Sequence, residues 1–406
     1  MSLIREIPPT AGWPLTTSSL ITSCLKKHPQ GLLEEDFKKH LGTQSAILTY
    51  SGTAGFYLIL ETVKKISSKK TVIIPAFVCP LIPLAIKKAG LNIKVCDISV
   101  SNFNFETNKL KDICTSDNDV LAIVAVHLGG LPIDFYTLED MAEICDAFII
   151  EDCAQSLGAK YRNRETGSLG HFSFFSLCRG KGLTIYEGGI ASTNLPEYAG
   201  ILNNTAREII SQDILSEALK VAELFAYSIF YRPSLFWFAF RLPQLFWQLY
   251  NNPTRAMGEY FGPNFPLHKV SAFREYIGHI NFMRLEEKIK EQRKKVDIYL
   301  DKLKDIPSIR PIVEQEQTKA TYPYLAIILE NIQKRNRALD LLKNSGLGIS
   351  QVYLKAITDY DYLKNVVPPL ECPNARYLCE RTITLSTSSF LKESDLKNIL
   401  NKLKRV

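Results

Sequence analysis

At 406 residues, with 46% hydrophobic and 22% charged residues, the chain has the composition of an ordinary globular protein long enough for two domains, which excludes a chain dominated by disorder. Its nine cysteines form no CxxC pair and no Cys/His cluster of metal-ligand spacing, so a reducing, cytoplasmic setting and no structural zinc are expected. The formal net charge of +7 comes from scattered lysines such as Lys64-Lys65 and Lys294-Lys295, with no basic recognition helix, so nucleic acid is not an expected partner.

In chain order, the first residues carry Pro8, Pro9 and Pro14 and no long apolar run, which argues against an export signal. Residues 46–55, AILTYSGTAG, read as a short strand turning at Ser51-Gly52-Thr53 into a helix over Phe56 to Ile66. Such a turn offers free N–H groups and the positive end of a helix dipole, although a plain strand-turn-helix cap explains it more often than a phosphate site does. Strands follow at Thr71 to Pro75, Asn92 to Val95 and Val120 to Val126, the last ending at His127-Leu128-Gly129-Gly130. A helix over Leu138 to Ala147 returns to the strand Phe148-Ile149-Ile150, which stops at the acids Glu151 and Asp152. The alternation over residues 45–195 predicts an α/β fold: a mostly parallel sheet with helices on both faces.

A buried parallel strand that ends in an acid delivers the carboxylate to the sheet edge where ligands bind. A second apolar run, His171 to Leu177, leads to Ser176, then to Arg179-Gly180-Lys181, then to Glu187-Gly188-Gly189. An acid, a hydroxyl and a lysine near two strand ends suit pyridoxal phosphate, which needs a lysine to hold it, an anion beside its ring nitrogen and donors for its phosphate. EDCAQSLGA, GSLG, FSxxxxK and EGG together resemble the DegT/DnrJ/EryC1/StrS aminotransferases, which are fold type I enzymes.

The resemblance implies pyridoxal 5′-phosphate as cofactor, with Lys181 as its anchor and the catalytic base. It implies Asp152 at the pyridine nitrogen, Gln155 beside the ring, and a phosphate site made by Gly52, Thr53, Ala54 and Ser176. Standing alone, Lys181 would be a solvated surface charge and Asp152 a helix cap; their joint order reverses that weighting. His127, in a VHxxG segment, is expected to be a satisfied polar residue at a strand end near the cofactor. A homodimer is implied, because the family shares sites across two subunits.

Residues 225–250 hold eleven aromatics, where a chain 10% aromatic would place about three. Pro233, Pro243, Glu223, Arg232 and Arg241 break this stretch into pieces too short to span a bilayer. Three readings fit it: an internal or dimer-interface lid, a segment lying on a membrane surface with its arginines at headgroup level, or a hydrophobic acceptor pocket. The first is favoured, because aromatic stripes at helical spacing are usually core. Residues 271–300 have helical periodicity, with Phe273, Ile277, Ile280, Leu285 and Ile289 on one side. Beyond them a small α+β domain is expected, with strands at Tyr322 to Leu329, Leu347 to Tyr353 and Thr382 to Ser386. The division is therefore an N-terminal segment 1–44, a cofactor domain 45–208, an aromatic insertion or lid 209–270, and a connecting helix with the small domain at 271–406.

The chain departs from the family at three places. Cys79 stands where an aromatic ring often stacks on the cofactor, with Phe77 as a substitute. Leu267 and Lys269 replace the Asn and Arg that reach the partner's site, and of the HYxPLH segment only Tyr353 survives. The expected function is transamination of a keto-sugar, nucleotide-linked or not, or of another polar carbonyl compound, with an amino-acid donor such as glutamate. The alternative is a non-transaminating, dehydratase-like or regulatory protein on the same scaffold, with membrane-surface contact through residues 225–250. In the sugar dehydratases of this family a histidine replaces the lysine, so Lys181 speaks against that branch.

Overall fold

The computed structural model describes residues 5–342 and 345–406. Strands β1 (Ser45–Thr49), β2 (Thr71–Pro75), β3 (Asn92–Cys96), β4 (Val120–Val126) and β5 (Phe148–Asp152) are followed by a two-residue ribbon, β6 (Lys160–Tyr161) and β7 (Arg164–Glu165). After them come β8 (Phe172–Ser176) and β9 (Gly189–Thr193). Seven of these form the main sheet in the order β1-β9-β8-β5-β4-β2-β3. The pairings from β8 to β3 are parallel, and β9 is antiparallel to both of its neighbours. The sheet is thus mostly parallel, as the strand and helix alternation predicts.

Its strands are apolar throughout because both faces are covered. Successive side chains point to opposite faces, so Val72 and Ile74 join one core with helices Gly52–Ile66, Leu81–Lys88 and Pro196–Ile209. Ile73, Ile123 and Ala125 join another, with helices Thr107–Ser116 and Phe135–Cys145. A second sheet combines β10 (Ile309–Pro311), β12 (Tyr324–Leu329) and β13 (Thr382–Ser386), while β11 (Thr318–Lys319) extends the ribbon. Helices Leu285–Leu303, Ile332–Leu342 and Glu393–Leu403 cover this sheet.

Two expectations change. The periodic stretch 271–300 is two helices, Ala272–Phe282 and Leu285–Leu303, broken at Met283-Arg284. The stretch Leu347 to Tyr353 forms no strand and makes only an isolated bridge, Ser350 to Thr384. Its glycines Gly346 and Gly348 instead let the N-terminal segment run past, with Ile7 N–H donating to the Gly346 carbonyl at 2.9 Å.

That segment is a strap across the molecule. Arg5 pairs with Asp395 through two hydrogen bonds of 2.9 and 2.8 Å, and Ile7 is fully buried against the small-domain core. Farther along, the Ala11 N–H donates to the Pro323 carbonyl and the Trp13 N–H to the Gly182 carbonyl. The strap therefore ends on the loop that carries Lys181.

Helix Ile214–Phe230 begins the aromatic region and packs Leu224, Tyr227 and Tyr231 against Leu15, Leu20 and Ile277. Pro233 opens a short helix, Pro233–Phe236, and Pro243 sits in the first turn of Leu242–Leu249. Between them Trp237–Arg241 is a wide π turn, which absorbs the hydrogen bond that Pro243 cannot donate. Arg241 is buried and donates to Gln244 at 3.2 Å, so it does not stand at an outer surface as a headgroup contact requires. Among the described residues no helix is long and apolar enough to cross a membrane.

Arg274, fully buried, fastens this region to the site. Its Nε donates to Glu217 at 2.7 Å, and its Nη1 to the carbonyls of Ile185 and Glu187. Burial alone would raise the Glu217 carboxyl, but the bonds and charge of Arg274, with Ser271, outweigh it and hold it below its ordinary value of 4.5. A depressed carboxyl stabilises the fold above its unfolded value and loses that contribution as pH falls through the folded one. Arg274→Met should therefore lower unfolding stability by about 3–5 kcal/mol at pH 7, with a smaller deficit at about pH 4. A denaturant titration placing the variant within about 1 kcal/mol of wild type at pH 7 would contradict the clamp.

Candidate active site

Strand β5 delivers two adjacent buried carboxylates whose side chains leave opposite faces of the strand. Glu151 is consumed by the protein: it accepts from the N–H groups of Gly167, Leu169 and Gly170 at 2.7–2.8 Å and from His127 Nε2 at 2.9 Å. The GSLG turn is thus a ring of backbone donors around one carboxylate. His127 Nδ1 accepts the Ile133 N–H at 3.1 Å, so Nε2 carries the proton and the ring is the satisfied strand-end residue that the sequence predicts.

Asp152 has fewer partners. Its Oδ1 accepts the Ala154 N–H at 3.0 Å, and burial pushes its carboxyl above the ordinary value of 3.8, against the opposing pull of that N–H, Lys181 and His127. Burial pushes the Cys79 thiol up to about 11, with Asp152 adding to the rise and Lys181 opposing it. Asp152 pairs with Phe174, so the acid stands at the end of the strand pair that leads through β8 into the Lys181 loop. Burial also raises the Tyr353 hydroxyl, with Cys79, Tyr324 and Asp152 adding to the effect. Phe77 instead packs in the core, its ring 5.8 Å from Phe103 and 5.1 Å from Tyr353.

The anion-binding end is built from three backbone ends. Thr49 and Ser176 both pair with Gly189, so β1, β9 and β8 finish in one row. A Cβ on Gly189 would lie 2.5 Å from the Gly52 nitrogen, and one on Gly52 would lie 3.0 Å from the Ser176 Cβ. Only glycine admits that approach, which sets the Ser176 hydroxyl beside the N-terminus of Gly52–Ile66. Ser51 caps this helix, accepting the Ala54 N–H at 3.1 Å on its side chain and the Gly55 N–H at 3.0 Å on its carbonyl. The amides left over are those of Gly52 and Thr53; that of Ala54 is engaged by the cap.

Lys181 sits in a loop closed on itself by Leu177 N–H to the Gly188 carbonyl and Arg179 N–H to the Tyr186 carbonyl. Thr10 donates to the Gly180 carbonyl at 2.6 Å, Trp13 to that of Gly182, and Arg274 grips the far side. A cavity of about 170 Å³ opens beside the lysine, lined by Trp13, Gln155, Ser176, Lys181, Thr321 and Tyr324 among others. Gln155 Oε1 accepts the Gly129 N–H and the Tyr324 hydroxyl, each at 2.8 Å, which turns its amide nitrogen to the donor role. Asp152, Gly52, Thr53 and Ala54 do not line this cavity; they reach it through the charge of Lys181 and the contact with Ser176. Lys269 borders a separate groove with Glu34 and Arg207, and Leu267 pairs with the backbone of Ser211.

These residues fit pyridoxal phosphate. Two unspent helix N-terminal amides and a hydroxyl match a phosphate, and a buried acid with a single amide donor on the oxygen that is bonded matches a protonated ring nitrogen. The strap, Tyr324 and Arg274 were not foreseen. Arg274 alone left a signal: a charge on the same helix face as Ile277.

Glu151 and Asp152 should respond oppositely to amidation. Glu151→Gln turns an N–H₂ toward backbone donors and should cost the apoprotein about 1–3 kcal/mol. Asp152→Asn removes a charge whose raised carboxyl destabilises the fold as pH rises through the folded value, so its apoprotein should be at least as stable as wild type at pH 8. Thermal melts of both apo variants check this; a large loss for Asp152→Asn would contradict it.

The sequence matches the model of the DegT/DnrJ/EryC1/StrS aminotransferase family over residues 26–218 and 246–404. It is similar to the GDP-perosamine synthase of Escherichia coli O157:H7, 31% identical over 40% of this chain and 43% of that one. It is also similar to the GDP-4-keto-6-deoxy-D-mannose 3-dehydratase of Yersinia pseudotuberculosis, 30% identical over 42% and 44%. These two relatives are matched over less than half their length. The fold is that of Helicobacter pylori PseC, an aminotransferase involved in the biosynthesis of pseudoaminic acid, with a TM-score of 0.77 at 16% identity over 99% of both chains. The chain belongs to the DegT/DnrJ/EryC1/StrS aminotransferase family, and its cofactor is pyridoxal 5′-phosphate.

Proposed function

We propose that the protein transfers an amino group from an amino acid such as glutamate to a keto-sugar or a related carbonyl compound, with Lys181 as the catalytic base. The observation that carries this is the cavity in which Lys181 stands with Ser176 and Gln155, at the end of the strand pair whose β5 member carries Asp152. When bound, the cofactor supplies an electron sink for the carbon that loses its proton beside the nitrogen.

The chain's own groups supply the rest. Lys181 Nζ would hold the cofactor and, as a free amine, would carry the proton that leaves the substrate carbon. Asp152 keeps its negative charge toward the ring nitrogen and so keeps that nitrogen protonated. Gly52, Thr53 and Ser176 hold the phosphate, and Gln155, fixed by Gly129 and Tyr324, donates beside the ring. Trp13 and Tyr324 narrow the cavity and limit water around the lysine.

The keto-sugar assignment draws on the relatives' names, a GDP-perosamine synthase and a GDP-4-keto-6-deoxy-D-mannose 3-dehydratase among them. A dehydratase-like activity is the second reading, because a dehydratase is among the similar proteins, and Lys181 weighs against it. Glutamate added to the holoenzyme should shift the cofactor's absorbance to shorter wavelength, and Lys181→Ala should slow the change at least about 10²-fold. A wild-type holoenzyme whose spectrum no amino donor alters would sink transamination.

A further inference from the structure

Residues 219–245 fall between the two stretches that match the family, and they wall a second cavity, of about 560 Å³. That size lies within the range of small-molecule sites. Pro8 and Pro9 of the strap face Phe230, Phe236, Ala239 and Phe240 of the insertion across it. Thr10, Arg179 and Gly180 line both this chamber and the cavity at Lys181, so the two spaces share a wall one residue from the lysine.

At the junction the Arg179 guanidinium lies 5.8 Å over the Tyr186 ring, and among the described residues it has no carboxylate within salt-bridge reach. Glu223, the acid on the chamber wall, is paired with Lys220 at 2.7 Å. Beyond the chamber, Phe238, Leu242 and Phe246 recur at four-residue spacing and are 44–50% exposed, which carries the apolar surface outward along one face. Tyr186, Glu223, Tyr227 and Tyr231 also line the chamber, but its side made by Pro8, Pro9, Phe230, Phe236, Ala239 and Phe240 offers a sugar's hydroxyls no side-chain partner, whereas a hydrocarbon chain gains by every methylene buried there.

We propose that this chamber seats the hydrocarbon chain of an amphiphilic acceptor, with Arg179 holding the anionic group that joins chain to head while the head's carbonyl reaches Lys181. The inference names a substrate class for the site and rests on the transaminase reading for its chemistry, though not for the binding itself.

The test titrates holoenzyme with hexyl, octyl and decyl phosphate below their micelle concentrations, followed by calorimetry. Kd should fall about fourfold per added methylene. Arg179→Gln should weaken each member about tenfold without changing that trend. Ala239→Trp fills the chamber from an exposed rim position, so it should fold normally and abolish the chain-length dependence. Affinity that ignores chain length in wild type would overturn the proposal, as would binding by both variants that equals wild type. A change in sedimenting mass of Ala239→Trp would make the chamber a subunit contact and overturn it too. The glutamate-driven spectral change, run on the same preparations, separates the two readings: its absence in wild type sinks transamination and leaves the binding result standing.

Discussion

Two carboxylates buried side by side at the end of one strand set the terms for the rest of the molecule. Because neighbouring strand residues point to opposite faces, Glu151 and Asp152 face different environments. Glu151 meets a turn of backbone donors and a histidine, and its charge is spent on holding that turn. Asp152 receives one amide and the charge of Lys181. Carboxylates without enough partners are costly to bury, so Asp152 is a place where a cationic group would be stabilised.

The lysine opposite that acid is not held by the sheet at all. Its loop is fixed from the N-terminal strap at Gly180 and Gly182, and from Arg274 at Ile185 and Glu187. Both fixings reach outward: the strap is anchored in the small domain by Arg5 and Ile7, and Arg274 is tied through Glu217 to the helix that begins the aromatic insertion. Loop, small domain and insertion are thereby coupled mechanically, and the insertion borders the active site rather than decorating the surface.

Much of this was legible in the sequence, for identifiable reasons. Parallel strands covered on both faces write themselves as apolar runs, so VLAIVAV and FIIED mark β4 and β5 directly, and the acids that end β5 mark the ligand edge. The SGTA turn is also local, although only the structure shows that its Ala54 amide is spent on Ser51. What was not legible depends on pairings distant in the chain. Nothing in residues 5–16 announces a strap, because its partners at 180, 182, 323, 346 and 395 are fixed by the fold alone. The stretch Leu347 to Tyr353 has strand composition, yet Gly346 and Gly348 serve the strap's passage and only Ser350 reaches β13. Tyr353, the survivor of a lost segment, packs its ring 5.1 Å from that of Phe77, a pairing across the chain that the sequence does not announce.

The proposed chemistry depends on Lys181 as the residue that holds pyridoxal phosphate. The most direct measurement is borohydride reduction of the holoenzyme followed by peptide mapping in a mass spectrometer. The expected result is a phosphopyridoxyl group on the peptide containing Lys181, and none anywhere in a Lys181→Ala protein reconstituted with cofactor. A reduced adduct on another lysine of the wild-type chain, with Lys181 unmodified, would contradict the site as described.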